Sequence, residues 1–227
     1  MIEFLFLDLD DTILDFEATE RKSIARLFRD LGIEPTEELI RRYHVINLEH
    51  WKRLERGEIT RAQISNRFDV LFGELGRKVS TEDCEKRYRQ YLSEGTDYMP
   101  GAREAVERLS KKYRLFIASN GTASVQAGRM DRTGLGAFFE QVFVSEELGA
   151  NKPSLLFFEK AFSRIRGFDP ARAMMVGDSL TSDILGGINA GIRTCWVNAR
   201  GRAPRPDIQP DFEIEGIQRL EALLEQL

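Results

Sequence analysis

Five short apolar runs limit what this chain can fold into. They cover residues 4–7, 115–118, 142–144, 173–176 and 194–197. Each ends in a polar or glycine-bearing turn and is followed by a helical pattern. Runs of this length fit buried strands better than helices. Strands alternating with helices predict an α/β fold, a Rossmann-like parallel sheet with helices on both faces. Ligands of such sheets sit beyond the carboxyl ends of the strands. The polar residues just after each run are therefore the ones to read for chemistry.

Residues 16–98 break the alternation. Leu27, Leu31, Leu39, Ile40, Tyr43, Ile46, Trp51 and Leu54 recur at helical spacing, as do Phe68, Leu71, Phe72 and Leu75. Met99-Pro100-Gly101 then marks the return to the strand–helix texture. The expected organisation is a core of residues 1–15 and 96–227 with an inserted all-helical unit at 16–95. An insertion at a strand's carboxyl end overhangs the site, which makes it a candidate lid. The plainer alternative is a helical unit that only packs. Residues 200–210 carry Pro204, Pro206 and Pro210 and predict an irregular loop. Phe212 and Ile214 predict an edge strand, and 217–224 a closing helix.

At 227 residues the chain is long enough to bury a sizeable core. Its net charge of -4 argues against a nucleic-acid polymer as partner, because such surfaces need a basic stripe. It leaves room for a small anionic substrate, which needs only local positive charge. Cys84 and Cys195 lie in unrelated segments and suggest neither a disulfide framework nor a zinc site. The N-terminus is apolar but reaches Glu3 and three aspartates by Asp11, unlike a signal peptide or a membrane span. A cytoplasmic monomer or homodimer with no membrane partner is the expectation.

Four strand ends carry candidate chemistry. Asp8-Leu9-Asp10-Asp11-Thr12 follows the first run. Two carboxylates two residues apart at a strand's end can share one small site, hold a hard cation, or divide attack and proton transfer. A helix cap or an acidic turn would use the same residues. Ser119-Asn120-Gly121-Thr122 ends the second run, where a hydroxyl and helix-opening N–H groups suit a phosphate oxygen or an ordinary helix entry. Lys152-Pro153 offers a point charge for a phosphate and a carboxylate, or a solvated lysine before a helix. Gly177-Asp178-Ser179, with Asp183 a turn later, offers further oxygen ligands for magnesium, or a plain cap. Together the four supply what phosphoryl transfer needs: a nucleophile, an acid, oxyanion contacts and metal ligands.

At these residues the chain resembles the haloacid dehalogenase (HAD) superfamily of phosphohydrolases, motif by motif and in order. The resemblance implies a HAD fold in which 16–95 is a C1-type cap. It implies that Asp8 attacks phosphorus and forms an aspartyl-phosphate, and that Asp10 protonates the leaving group and later activates water. Ser119, Asn120 and Lys152 would bind the phosphoryl group. Asp8, the carbonyl of Asp10, and Asp178 would ligate Mg²⁺, with Asp183 and Thr12 in support.

Tyr43, Asn47, Trp51, Gly57-Glu58-Ile59-Thr60, Arg67-Phe68, Arg132-Thr133-Gly134-Leu135, Ser145-Glu146-Glu147 and the stretch from Asp183 to Gly191 extend the likeness. This pattern is similar to the bacterial pyrimidine 5′-nucleotidases, and also to the N-acylneuraminate-9-phosphatases. The resemblance implies a small phosphate ester as substrate, with nucleoside 5′-monophosphates first and sugar or sugar-acid phosphates as the alternative.

A phosphomutase would keep the same core, whereas a dehalogenase would not need Asp10. An isolated Asp has a pKa near ~3.9, so a neighbouring carboxylate would have to raise that of Asp10 for acid catalysis. Tyr43, Trp51 and Phe68 are expected in the helical core, since aromatics at helical spacing usually pack. Arg67 is expected on the surface. His44 and His50, lacking a partner pattern, are expected to be non-catalytic.

Overall fold

The computed structural model describes residues 1–227. Strand β1 (Phe4–Leu7) is followed by helices α1 (Phe16–Asp30), α2 (Glu37–Glu55), α3 (Asn66–Glu74) and α4 (Thr81–Ser93). The chain continues through α5 (Ala102–Leu109), β2 (Arg114–Ser119), α6 (Ala123–Thr133), β3 (Gln141–Val144), α7 (Ser145–Leu148) and α8 (Leu155–Phe162). It ends with β4 (Ala173–Gly177), α9 (Leu185–Asn189), β5 (Arg193–Val197), β6 (Phe212–Ile214) and α10 (Leu220–Leu224).

All six strands are parallel, in the order β3-β2-β1-β4-β5-β6. The α/β expectation holds, including the edge strand and the irregular loop before it. Every side chain of β1 is fully buried. A strand covered on both faces has no polar face to present, so its sequence runs apolar without alternating. The two faces still separate by the strand's period of two. Leu5 and Leu7 join one cluster with Ile117, Val176 and Leu109. Phe4 and Phe6 point the other way, into a cluster with Phe116, Phe143 and Phe157. The rings of Phe6 and Phe116 stack with centroids 5.2 Å apart. Burying each such ring stabilises the sheet by roughly 1.5–3 kcal/mol.

The first two connections build the sheet outward to β3, and the chain then returns beside β1 as β4. Leu7 is level with Ile117 on one side and Val176 on the other. The residues after β1, β2 and β4 thus emerge together at the point where the strand order reverses, the crevice such sheets offer to a ligand.

Helices α1–α4 enclose a separate cluster containing Leu27, Phe28, Tyr43, Phe68, Leu71 and Tyr88. Side-chain caps start three of them: Asp15 accepts from Ala18 N, Thr36 from Leu39 N, and Ser80 from Asp83 N. The two chain segments joining this unit to the sheet run side by side. Met99 N donates to Ile13 O and Asp15 N to Asp97 O, both at 2.9 Å. Helix α4 packs on both α1 and α6, and Val125 of α6 completes the helical cluster.

Tyr43 and Phe68 stack in that core at 5.7 Å, as expected. Trp51 departs from the expectation: it is half-buried against the small Leu54, Ile59 and Ile64 cluster. Arg67 is a correction. It is 2% exposed, not at the surface. Its guanidinium donates to Glu85 Oε2 at 2.6 Å, Tyr43 Oη at 3.1 Å and Ile64 O at 2.9 Å. Arginines are exposed on average, but one paired and hydrogen-bonded to this extent can be buried. Both cysteines are free and buried. No helix is long and apolar enough to cross a membrane.

Candidate active site

Asp8 is the first residue beyond β1, and its backbone N–H still donates to Val176 O, so the strand holds its position. Its carboxylate Oδ1 accepts from Lys152 Nζ at 2.7 Å. The same Nζ donates to Asp183 Oδ1 at 2.6 Å and to Ala118 O. Lys152 is 1% exposed, which removes the solvated-lysine alternative. Carboxylate oxygens of Asp8, Asp178 and Asp183 lie within 4.8 Å of one another. Asp183 thus stands in the cluster directly while also bonding to Lys152.

A glycine makes this approach possible. A Cβ on Gly177 would overlap the Asp183 carboxylate, whose Oδ2 also accepts from Ser179 N at 3.0 Å. Burial raises the Asp8 carboxyl well above its usual range, with Lys152 opposing and the other acids adding to the rise. Burial, then Asp183, push Asp178 up to about 7. Burial alone would lower Lys152, but Asp183 and Asp8 outweigh it and hold the ammonium charged. Three carboxylates crowded this closely, with Asp8 and Asp178 both pushed upwards, are a set that a hard divalent cation would stabilise, and oxygen donors are what it requires.

Asp10 lies at the cavity wall with its carboxylate between two side chains of α6. Gln126 Nε2 donates to Asp10 Oδ2 at 2.7 Å, and Arg129 Nη1 to Asp10 Oδ1. Gln126 Nε2 also donates to Ser119 Oγ at 2.9 Å, and Gly121 N to the same hydroxyl at 3.0 Å. Asn120 lines the cavity, and its side chain is held by Lys152. Its Nδ2 donates to Lys152 O and its Oδ1 accepts from Lys152 N, at 2.9 and 2.8 Å. Asn120 therefore joins the Ser119 turn to the Lys152 turn. Thr12 is fully buried, and its hydroxyl finds no partner.

These groups open into a cavity of about 260 Å³ lined also by one face of α2: His44, Asn47, Leu48, Trp51 and Glu55. Their spacing is the one-face repeat of a helix. His44 pairs with Glu20 of α1, and the His50 ring hydrogen-bonds Ile46 O, 2.8 Å away. Burial raises the Glu55 carboxyl to about 7. Arg61, in the turn after α2, reaches across to the sheet side. It donates to Asn120 O, Gly121 O, Ser145 Oγ and Asn151 Oδ1.

The sequence expectations omitted Gln126, Arg129, Arg61, Glu55 and Arg202. The last, from the proline-rich loop, donates to Asp178 Oδ2 at 2.8 Å. A signal existed for two of them. Gln126 and Arg129 are three apart on the helix that opens after Ser119, so they share a face near that turn. Nothing local marks the others.

Residues 5–197 match the haloacid dehalogenase-like hydrolase family, and the chain belongs to it. It is 37% identical to the pyrimidine 5′-nucleotidase PynA of Streptococcus pneumoniae, over 96% of this chain and 93% of PynA. It is 32% identical to the pyrimidine 5′-nucleotidase YjjG of Escherichia coli, over 98% and 97% of the two chains. The magnesium-bound crystal structure of the HAD-hydrolase YfnB of Bacillus subtilis superposes with a TM-score of 0.94 at 37% identity, covering 98% of each chain.

Proposed function

We infer that this protein is a Mg²⁺-dependent phosphatase of small phosphate monoesters, with pyrimidine nucleoside 5′-monophosphates as its substrate class. The observation that carries the reading is Lys152: a buried ammonium bridging the Asp8 and Asp183 carboxylates at the end of the central strand. A cation held there offsets the repulsion between a carboxylate nucleophile and an anionic phosphate. Asp8, Asp178, Asp183 and the carbonyl of Asp10 would hold Mg²⁺, which when bound supplies charge neutralisation and orients phosphoryl oxygens.

An oxygen of Asp8 attacks phosphorus, the ester P–O bond breaks, and Asp10 gives its proton to the leaving oxygen. Asp10 then takes a proton from water. That water displaces Asp8 from phosphorus and releases inorganic phosphate. Ser119, Lys152 and the backbone at Asn120 hold the phosphoryl oxygens. Residues 16–95 act as a cap, whose α2 face meets the rest of the substrate. PynA and YjjG support the nucleotide class, and half-buried Trp51 offers a stacking surface for a base.

The test is phosphate release with Mg²⁺ across UMP, dUMP, dTMP, purine monophosphates, sugar phosphates and phosphoglycolate. A sharp pyrimidine preference is expected. A sugar or sugar-acid phosphate turned over better would redirect the substrate class. Rapid hydrolysis by a folded Asp8→Asn protein would refute the mechanism.

A further inference from the structure

We propose that Gln126 and Arg129 are positioning residues for Asp10: a buried two-residue clamp on α6 that aims its carboxylate at the leaving oxygen. The proposal rests on the phosphatase reading above.

The clamp occupies each carboxylate oxygen once. Arg129 takes Oδ1 and Gln126 takes Oδ2. A carboxylate has about four acceptor sites on its two oxygens, so one lone pair on each stays free for a proton. The clamp leaves the Asp10 side chain 26% exposed while Arg129 is completely buried. Asp10 thus meets the cavity by its edge and is anchored from behind.

The Gln126 amide has its orientation set. Its Oε1 accepts from Arg129 Nη1 at 3.2 Å. Arginine has no acceptor, so the amide must present oxygen to Arg129 and its NH₂ to Asp10 and Ser119. Reversing the amide would put two donors together. Arg129 therefore acts on Asp10 twice, directly and by fixing Gln126. The backbone makes room for this: a Cβ on Gly121 would collide with the Gln126 amide.

Arg129 also has no other anionic partner. Its Nε and Nη2 find no hydrogen-bond acceptor, and its guanidinium otherwise lies 5.8 Å from the centre of the Phe16 ring. A cation buried with this little else near it is poorly explained by stability, since unpaired buried donors cost free energy. Phe16 begins α1, so the clamp also touches the first residue of the helical unit.

The role predicts dependence on the leaving group. An alkoxide leaving from a nucleoside 5′-phosphate needs a proton, whereas the phenolate of an aryl phosphate leaves without one. Positioned general acids contribute typically 10²–10⁴-fold. The experiment measures single-turnover release of the leaving group with Mg²⁺ from UMP and from p-nitrophenyl phosphate. It uses the wild type, Gln126→Leu, Arg129→Met and the conservative Arg129→Lys. Release from UMP is expected to fall by roughly 10–100-fold in Gln126→Leu and Arg129→Met. Release from the aryl ester should fall less than about threefold, and Arg129→Lys should recover part of the loss.

A purely structural role would slow both esters equally, and that result, or no loss on either, overturns the proposal. Gln126→Leu carries the same test if Arg129→Met fails to fold. A wild type inert on both esters would overturn the phosphatase reading itself. An active wild type with no split between esters overturns the clamp alone.

Discussion

At the scale of single residues, Asp10 and Arg129 cannot be changed independently. Asp10→Asn leaves a fully buried guanidinium without its counter-charge. Breaking a buried pair costs several kcal/mol, and the partial exposure of Asp10 reduces this to about 1–3 kcal/mol. The variant should therefore lose both turnover and stability. Adding Arg129→Met should restore much of the stability and none of the turnover, which denaturant melts with parallel assays would read. Equal stability of Asp10→Asn and wild type would remove the pairing as an energetic fact.

Residue types at the strand ends were legible because phosphoryl transfer needs acids, a hydroxyl and a lysine. The neighbours of those residues were not. The expected carboxylate is close to Asp10, since Asp8 lies nearby, but its two hydrogen-bonding partners are an arginine and a glutamine. Asn120 reads in sequence as a phosphate ligand, whereas its amide is used to tie down Lys152. Which way a short polar side chain turns depends on which loop lies beside it.

At the scale of elements, α2 brings its last residue, Glu55, towards the Lys152 and Asp183 end of the cavity, where their charges act on it. Burial raises its carboxyl to about 7, above its ordinary value. A carboxyl raised in the folded state stabilises the protein below its unfolded pKa. That contribution is lost as pH rises through the folded pKa, so the window runs from about 4.5 to 7. In EDTA, Glu55→Gln should therefore gain in Tm over the wild type between pH 5 and pH 8. A constant difference across that range would show that Glu55 titrates normally.

The helices themselves follow from periodic apolar residues and their caps, and the strands from short apolar runs. Helical spacing told which residues face inward but not which core they enter. Trp51 and Tyr43 share α2, yet one borders the cavity and the other sits in the helical cluster. Arg67 lies on the inward side of α3, where Glu85 and Tyr43 receive its charge. Average exposure cannot anticipate partners that arrive from other helices.

At the scale of the whole molecule, the acidic cluster draws on β1 and on the segment after β4, and no part of it exists in the unfolded chain. A cation bound there stabilises the folded state alone. At a hundredfold excess over Kd that amounts to ~2.7 kcal/mol, or a Tm rise of about 5–10 °C for a chain of this size. Thermal melts with Mg²⁺ should show this rise in the wild type and little of it in Asp178→Asn. No rise in the wild type would count against the metal site.

The layers, the helical insertion and the order of Asp8, Ser119, Lys152 and Asp178 can be read from the chain alone. Local rules suffice for these, because strand and helix periods and strand-end chemistry are written along the chain. Packing in three dimensions is what makes Lys152 bridge two acids, joins Arg61 after α2 to the Asn120 loop, and sets Gln126 and Arg129 of α6 against Asp10. Those contacts join residues far apart in sequence. Their partners are chosen by the packing of the sheet and the insertion, which no single segment encodes.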